Sequence, residues 1–476
     1  AVASHTGALA GQESAFNAAF RRAGVIRANT SEELFDWARA LAWCPLPAGR
    51  DVAVLTNAGG PGVTAADALE SHGLRLAALR PETEAALRAI LPPDAGTRNP
   101  VDMLAAATAG QYVEALRLLL DDPGVHSIMV IVPPPPLESA GGIARALIPI
   151  IYAAAKPVVI ALMGERMIQE AVEYFRAARV PEYRFPERAA AALAVLVERA
   201  ESVRARRADD GLANGAPLDR IDPDHVQRLL IRHGRGDQGG NGSGGFLPFE
   251  VVNELLTAYG IRVPRVALAT TAAEAVDLAW QIGFPVALKI AAPDIVHKSE
   301  AGGVRLNLQD PDGVRRAFDE VLAAGRAAAP TATIHGVYVQ QMILIGQEVI
   351  VGAVQDAQFG SLVMFGSGGV EVEGLRDVEF ALAPVTPGEA EGLLARTWAG
   401  RRLGGFRNLP PADHAAALDV IRRLGQLAAD FPQLAEIELN PVRVLPGSGG
   451  ACAVDARARL DARARLDARP LSAVER

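Results

Sequence analysis

Lysine is nearly missing from this 476-residue chain. Of 47 Lys plus Arg side chains, only Lys156, Lys289 and Lys298 are lysine. Arginine serves wherever a charge needs only to be solvated, so each lysine stands out as a compact point charge of the kind that touches phosphate. Cysteine is almost absent too. Cys44 and Cys452 lie far apart in sequence, which excludes a disulfide framework and fits a reducing cytoplasm. No apolar run reaches the roughly 18 residues of a membrane span. The N-terminus AVASHTGALAG has neither a basic head nor a continuous apolar core, so no signal peptide is expected. It opens inside what reads as a motif, and an upstream part is expected. Positive charge is not in excess: the formal net charge is −8. No general basic surface awaits nucleic acid or an anionic membrane.

What is present is core material. Half of the residues are hydrophobic and 21% are charged, a globular composition whose length allows roughly two to four domains. Residues 1 to 46 read as the tail of a domain, with helices around Glu13–Ala23 and Ser31–Ala42. The second of these starts with a capping box, Thr30 followed by Glu33, and Val25–Arg27 between them reads as a strand. From about 47 to 200 the pattern alternates. Continuous apolar runs such as DVAVLTN, HSIMVIVPP and KPVVIALMG are separated by amphipathic helices. That predicts a parallel sheet covered on both faces, a flavodoxin-like or Rossmann-like unit. Residues 201–245 turn Arg/Asp-rich and then Gly-rich, which predicts a flexible linker. From 246 to 476 the texture is α+β, with a hairpin QEVIVGAVQD/GSLVMFGSGG and two last strands, AEIELNPVRVL and ACAVDA. The Arg/Ala-rich tail from 460 reads as a frayed helix.

Several stretches carry candidate chemistry. PVALKI is a short buried strand from which Lys289 leaves, and the loop that follows holds His297, Lys298 and the pair Gly302–Gly303. The glycines let backbone N–H groups approach an anion, and His297 is a nucleophile or proton carrier. Read alone, the loop is equally an ordinary surface turn. Glu436, Glu438 and Asn440 alternate on AEIELN and so share a strand face, with Asp455 closing the next strand. Carboxylates plus an amide oxygen suit Mg²⁺ shared with phosphates; the alternative is a polar row on an edge strand. Val339–Met342 followed by Gly346, Gln347 and Glu348 has the look of a hinge strand for a flat ring, though read alone it is more simply an ordinary strand, and Phe365–Gly369 is by composition either a phosphate-facing loop or a plain one. In the alternating region, Asn57 and the turn Gly59, Gly60, Gly62 join a strand to a helix N-terminus, either an anion site or a tight turn that needs glycine. His5, among small residues in SHTGALAG, has room for a phosphate at either ring nitrogen; read alone, a single histidine there is more simply a solvated side chain.

Together these stretches resemble the NDP-forming acyl-CoA synthetases, the superfamily of succinyl-CoA synthetase and ADP-forming acetyl-CoA synthetase. SHTGALAG resembles its phosphohistidine loop, and NAGGPGVTAADAL the helix that holds the phosphohistidine. PVALKIAAPDIVHKSEAGGV, GQEVIVGAVQDAQFG and EIELNPV…AVDARARL resemble its ATP-grasp half.

The resemblance implies four regions. Residues 1–46 would be the remnant of a first flavodoxin-like domain, 47–200 a second flavodoxin-like CoA-ligase domain, 201–245 a linker and 246–476 an ATP-grasp domain. It further implies joining of a small carboxylic acid to CoA with ATP converted to ADP, through an acyl phosphate and phosphohistidines at His5 and His297. Lys289, Gly302 and Gly303 would meet the nucleotide phosphates, with Gln340, Gln341, Met342 and Glu348 around adenine. Glu438, Asn440 and Asp455 would hold Mg²⁺, while Asn57, Gly59, Gly60 and Gly62 would steady the phosphohistidine. The CoA-binding domain is not in this chain, so the resemblance implies a longer protein, an oligomer or a partner chain. Two other readings remain: a non-catalytic nucleotide- or acyl-CoA-sensing module of the same superfamily, and an ATP-grasp ligase joining a carboxylate to an amine.

Overall fold

The structure, a computed structural model, describes residues 6, 12–136, 138–211, 218–234, 245–292, 295, 298, 300–369 and 377–461. The chain forms two compact units, one of residues 24–211 and the other of residues 1–23 with 212–476. The break after Ala23 divides the stretch 1–46 between them.

The 24–211 unit is built on a parallel sheet. In spatial order its strands are Arg75–Leu76, Asp51–Thr56, Ser127–Val132, Val158–Leu162 and Glu182–Tyr183, with Val101–Asp102 also paired to Asp51–Thr56. The period of two splits each apolar run between two cores. Ala53, Leu55, Ile128 and Val130 pack with Leu87, Leu116 and Phe175 on one face. Val52, Val54, Met129 and Ile131 pack with Leu69, Leu193 and Leu196 on the other. The expected two-sided sheet is therefore present. Val25–Arg27, expected as a strand, has no regular structure.

The second unit has two antiparallel sheets. The smaller runs Val266–Ala269, Gly336–Gln341, Val286–Ala291, Val304–Leu308, with the helices Ala272–Ile282 and Pro311–Ala328 supplying its core partners. The larger runs Val378–Leu382, Gly360–Ser367, Gln347–Asp356, Leu434–Val444, Ala451–Ala453. The expected hairpin is there, in register from Val349↔Ser367 to Asp356↔Gly360. One face of this sheet packs on the helix His414–Asp430 and its neighbours. The other receives the N-terminal helix Gln12–Ala23 through Ala15 and Ala18 against Ile350, Leu362, Met364 and Phe380.

Two expectations need correction. Much of the expected linker is helical: Pro186–Gly211 runs into it and Pro223–Gly234 lies within it. Proline opens the second helix, where a missing N–H costs nothing. Val226, Leu229 and Leu230 then fall on one helical face and enter the core with Val251 and Leu255. Residues 456–460 form a further strand paired to Leu434–Leu439. Ala458 and Leu460 enter the core, while Arg457 meets Glu438 at 2.9 Å and Arg459 meets Glu436 at 3.5 Å. Of the tail expected to fray from 460, Leu460 closes this strand, and everything from 462 lies outside the described residues. Among the described residues no helix is long and apolar enough to cross a membrane.

Candidate functional site

Strand alternation places the candidate residues of the smaller sheet. Val286, Leu288, Ile290, Val337 and Val339 enter its core, so Lys289, Tyr338 and Gln340 take the opposite face. Lys289 and Tyr338 are register partners. Lys289 is only 6% exposed. Its Nζ lies 3.4 Å from Asp455 Oδ2 and donates to the Val454 carbonyl at 3.5 Å. Gln340, also buried, donates from Nε2 to the same carbonyl at 2.8 Å. Its Oε1 is buried without a hydrogen-bond partner among the described residues, an acceptor that carries a desolvation cost unless a donor meets it.

The two other lysine-loop features frame this face. Gly302 takes φ +67°, a left-handed conformation that glycine adopts without strain, and the Gly303 N–H then donates to the Lys298 carbonyl at 2.8 Å. Lys298 Nζ stands 5.0 Å from the centre of the Phe249 ring and 5.6 Å from that of Tyr338, within cation–π range. The Tyr338 hydroxyl donates to Glu250. Burial holds the Lys298 ammonium below the usual lysine range. Asp455 and Glu250 oppose that shift, and the nearby charge of Lys289 adds to it.

From the larger sheet come the acceptors. Asn440 and Asp455 are joined through the backbone, the Asn440 N–H donating to the Asp455 carbonyl at 3.0 Å. Asn440 Oδ1 accepts from the Gly369 N–H at 2.8 Å. A Cβ at Gly369 would fall 2.6 Å from Glu348 Oε2, so Glu348, itself paired with Arg443, is the next neighbour. Lys289, Gln340, Asp455, Asn440, Gly369 and Glu348 thus form one continuous group. Gln341 alternates away from it and accepts from the Arg265 N–H at 3.5 Å; the Met342 N–H donates to the Pro285 carbonyl.

Glu438 is placed differently from its expected companions. It is 3% exposed, and both of its oxygens already accept. Oε2 takes the Thr6 N–H at 2.9 Å and the Thr6 hydroxyl at 3.0 Å, and Oε1 takes Arg457 Nη2 at 2.9 Å. Two residues back on the same strand and on the same face, burial raises the Glu436 carboxyl above its usual range, against the pull of Arg459. Among the described residues no group of three or more His, Cys, Asp or Glu is placed to hold a metal ion. For Mg²⁺ the fitting oxygens are Asp455, whose side chain is 43% exposed, and the second lone pair of Asn440 Oδ1.

In the 24–211 unit, the strand Asp51–Thr56 ends in Asn57 and the helix Gly59–Ser71 begins two residues on. Among the described residues no side chain caps that helix; Pro61 has no N–H and the Gly62 N–H donates to the Ala58 carbonyl at 3.4 Å, which leaves the N–H groups of Gly59 and Gly60 as the ones without an intrahelical acceptor. Asn57 is buried, and its Oδ1 has no hydrogen-bond partner among the described residues. Gly62 packs under Thr56 and Pro100, and a Cβ at Gly60 would meet nothing within 4 Å. Sequence reasoning missed Asp102, whose Oδ2 would lie 3.2 Å from a Cβ at Gly59. It also missed Thr6, Arg457 and Gly352. The strict alternation of Ala456–Leu460 was a readable strand signal, but nothing in sequence spacing links Thr6 to Glu438. His5 and His297 lie outside the described residues.

The domain families that match are the ATP-grasp domain at 243–460, the Ligase-CoA domain at 52–209 and the succinyl-CoA ligase like flavodoxin domain at 1–41. The chain is 38% identical over 457 residues to acetate–CoA ligase (ADP-forming) I of Archaeoglobus fulgidus, covering 96% of this chain and 63% of that protein. It is 42% identical over 204 residues to the beta subunit of acetate–CoA ligase (ADP-forming) I of Pyrococcus furiosus, covering 43% of this chain and 87% of the subunit. A third relative is the alpha subunit of the Pyrococcus furiosus enzyme II, 43% identical over 209 residues, 43% of this chain and 45% of the subunit. The chain spans a little under two thirds of the length of two of the curated relatives it matches, 63% of the Archaeoglobus fulgidus protein and 64% of 4-hydroxybutyrate–CoA ligase (ADP-forming) of Nitrosopumilus maritimus. On these matches the chain belongs to the ADP-forming acyl-CoA synthetases, the family of the acetate–CoA ligases.

Proposed function

We propose that this chain carries the nucleotide-using part of a reaction that joins a small carboxylic acid to CoA while ATP becomes ADP and phosphate. The observation that carries the reading is the convergence of Lys289 and Gln340 from one sheet on Val454 and Asp455 beside the other. A buried cation, an unpartnered amide oxygen and an exposed carboxylate there suit a nucleotide triphosphate lying between the sheets. Gln340 Oε1 would accept from an exocyclic amine of the base, and Lys289 and the turn at Gly302 and Gly303 would meet the phosphates. Glu348 would stand at the ribose or base end. Gln341 and Met342 would contribute backbone and apolar surface.

Asp455 and Asn440 would hold Mg²⁺ together with phosphate oxygens, and Glu438 would join them only by releasing Thr6. The ion would neutralise charge on the transferring phosphoryl group. His297 would attack the γ-phosphorus; its P–N bond forms as the bond to the ADP oxygen breaks, and ADP leaves. The phosphoryl group would then pass to His5, one P–N bond replacing another, and from there to the acid carboxylate as an acyl phosphate. Attack by the CoA thiolate on the acyl carbon would release phosphate. Asn57 and the N–H groups of Gly59 and Gly60, with the helix dipole behind them, would steady the phosphorylated His5, and Gly62 would serve by letting the turn pack under Thr56 and Pro100. The CoA-binding part would come from a partner chain or a longer polypeptide, as relatives made of separate alpha and beta subunits suggest.

The first half-reaction needs neither acid nor CoA, so it can be tested alone. The chain with Mg²⁺ should exchange label between ADP and ATP, and His297→Ala should abolish the exchange. Exchange surviving in His297→Ala, or none in the wild type despite bound ATP, would overturn the relay.

A further inference from the structure

We infer that Thr6 and Gly352 form a docking notch that positions the segment bearing His5 on the ATP-grasp sheet. This rests on the reading of His5 as a phosphoryl carrier. Thr6 is fully buried. Its N–H and its hydroxyl both donate to one oxygen of Glu438, at 2.9 and 3.0 Å. The other oxygen is fixed by Arg457 at 2.9 Å, so the carboxylate cannot rotate away without losing a charged partner. Glu438 and Gly352 are opposite one another in the ladder. Thr6 occupies the space a side chain at 352 would fill: a Cβ there would stand 2.3 Å from its Oγ1 and 2.9 Å from its Cγ2. That is far inside van der Waals contact, and a backbone-borne methyl cannot move aside.

The notch therefore recognises three things at once: a backbone N–H, a hydroxyl and a β-branched side chain of threonine size. Threonine is the one residue that presents all three with the stiffness of a restricted χ1. Its neighbour His5 is covalently fixed to it, so docking Thr6 brings the imidazole to the unit that carries the nucleotide. Thr6 and Gly352 act as positioning residues, since neither would touch the transferring group.

Two measurements on the whole chain test this. In the first, amide hydrogen exchange at Thr6 should be slow in the wild type and at least tenfold faster in Gly352→Ala. In the second, the chain is incubated with Mg²⁺ and γ-labelled ATP, and label is quantified at His297 and His5 separately. Thr6→Val and Gly352→Ala should keep label at His297 while label at His5 falls by about tenfold, and Thr6→Ser should restore much of it. An unprotected Thr6 amide, or His5 labelled as fast in Thr6→Val as in wild type, would overturn the notch. If the wild type labels at neither histidine, the proposed function fails, and Thr6 keeps a structural contact without the positioning role.

Discussion

Replacing Lys289 with methionine is the perturbation that bears most directly on the nucleotide site. The side chain is 6% exposed, with Nζ 3.4 Å from Asp455 Oδ2. A unit charge about 4 Å from a phosphate oxygen is worth about 4 kcal/mol at an effective dielectric near 20. In the free protein the ammonium already interacts with Asp455 and the Val454 carbonyl, and binding trades part of that attraction for the phosphate. Taking about half of the total as net gives a loss of ~2 kcal/mol, or about 30-fold in Kd. The fold should tolerate the change. Methionine keeps the buried length, Asp455 has solvent access, and the Val454 carbonyl keeps Gln340 Nε2 as donor. Calorimetric titration of ATP and ADP into both proteins measures the loss. Lys289→Arg should also bind poorly, because a planar guanidinium does not fit a site shaped for a point charge. Binding within twofold of wild type in a folded Lys289→Met would refute the placement of the phosphates.

Three more outcomes follow from the geometry. Gln340→Leu should weaken ATP about tenfold but leave inorganic tripolyphosphate binding unchanged, since the lost oxygen is the one proposed to meet the base; competition titrations with the two ligands read the difference. The Lys298 pKa is lowered on folding, so between its folded value and the ordinary 10.5 the unfolded chain binds more protons. The contribution of Lys298 to stability therefore rises with pH through that window. Denaturant unfolding of wild type and Lys298→Met should show the wild type gaining on the variant as pH rises toward 10.5, and a constant difference would refute it. Arg22 donates to the Leu382 and Pro384 carbonyls at 2.7 and 2.8 Å and pairs with both Glu389 oxygens at 2.6 Å. Arg22→Ala should cost roughly 2 kcal/mol and make the helix Gln12–Ala23 an early site of limited proteolysis, before the sheet core is cut.

Much of the fold was legible because period-two runs and helix caps are local. DVAVLT and SIMVIV announce buried parallel strands, and the hairpin pairing Val349 with Ser367 follows from two apolar runs around a turn. The continuous group of Lys289, Asp455, Asn440 and Glu348 was legible in type, since a near-absence of lysine makes each one conspicuous. What escaped was whatever depends on distant packing. Composition made 201–245 look like a linker, yet Val226, Leu229 and Leu230 find a core built from residues beyond 250. Glu438 was read with Asn440 from strand alternation alone. Its burial, its partner Arg457 and its hold on Thr6, 432 positions away, come from a strand pairing and a docked segment that no local rule encodes. Gly352 looked like any strand glycine until Thr6 was seen to occupy its missing side chain.

The central claim is that a histidine of this chain takes the γ-phosphoryl group of ATP. Incubation with Mg²⁺ and γ-labelled ATP, followed by acid and base treatment and mapping of the label, tests it without acid, CoA or any partner. The account predicts acid-labile, base-stable label on His297 in the wild type, its loss in His297→Ala, and its retention on His297 in His5→Ala. A chain that binds ATP yet acquires no such label, or acquires it equally in His297→Ala, would contradict the account and leave the ATP-grasp unit as a nucleotide sensor.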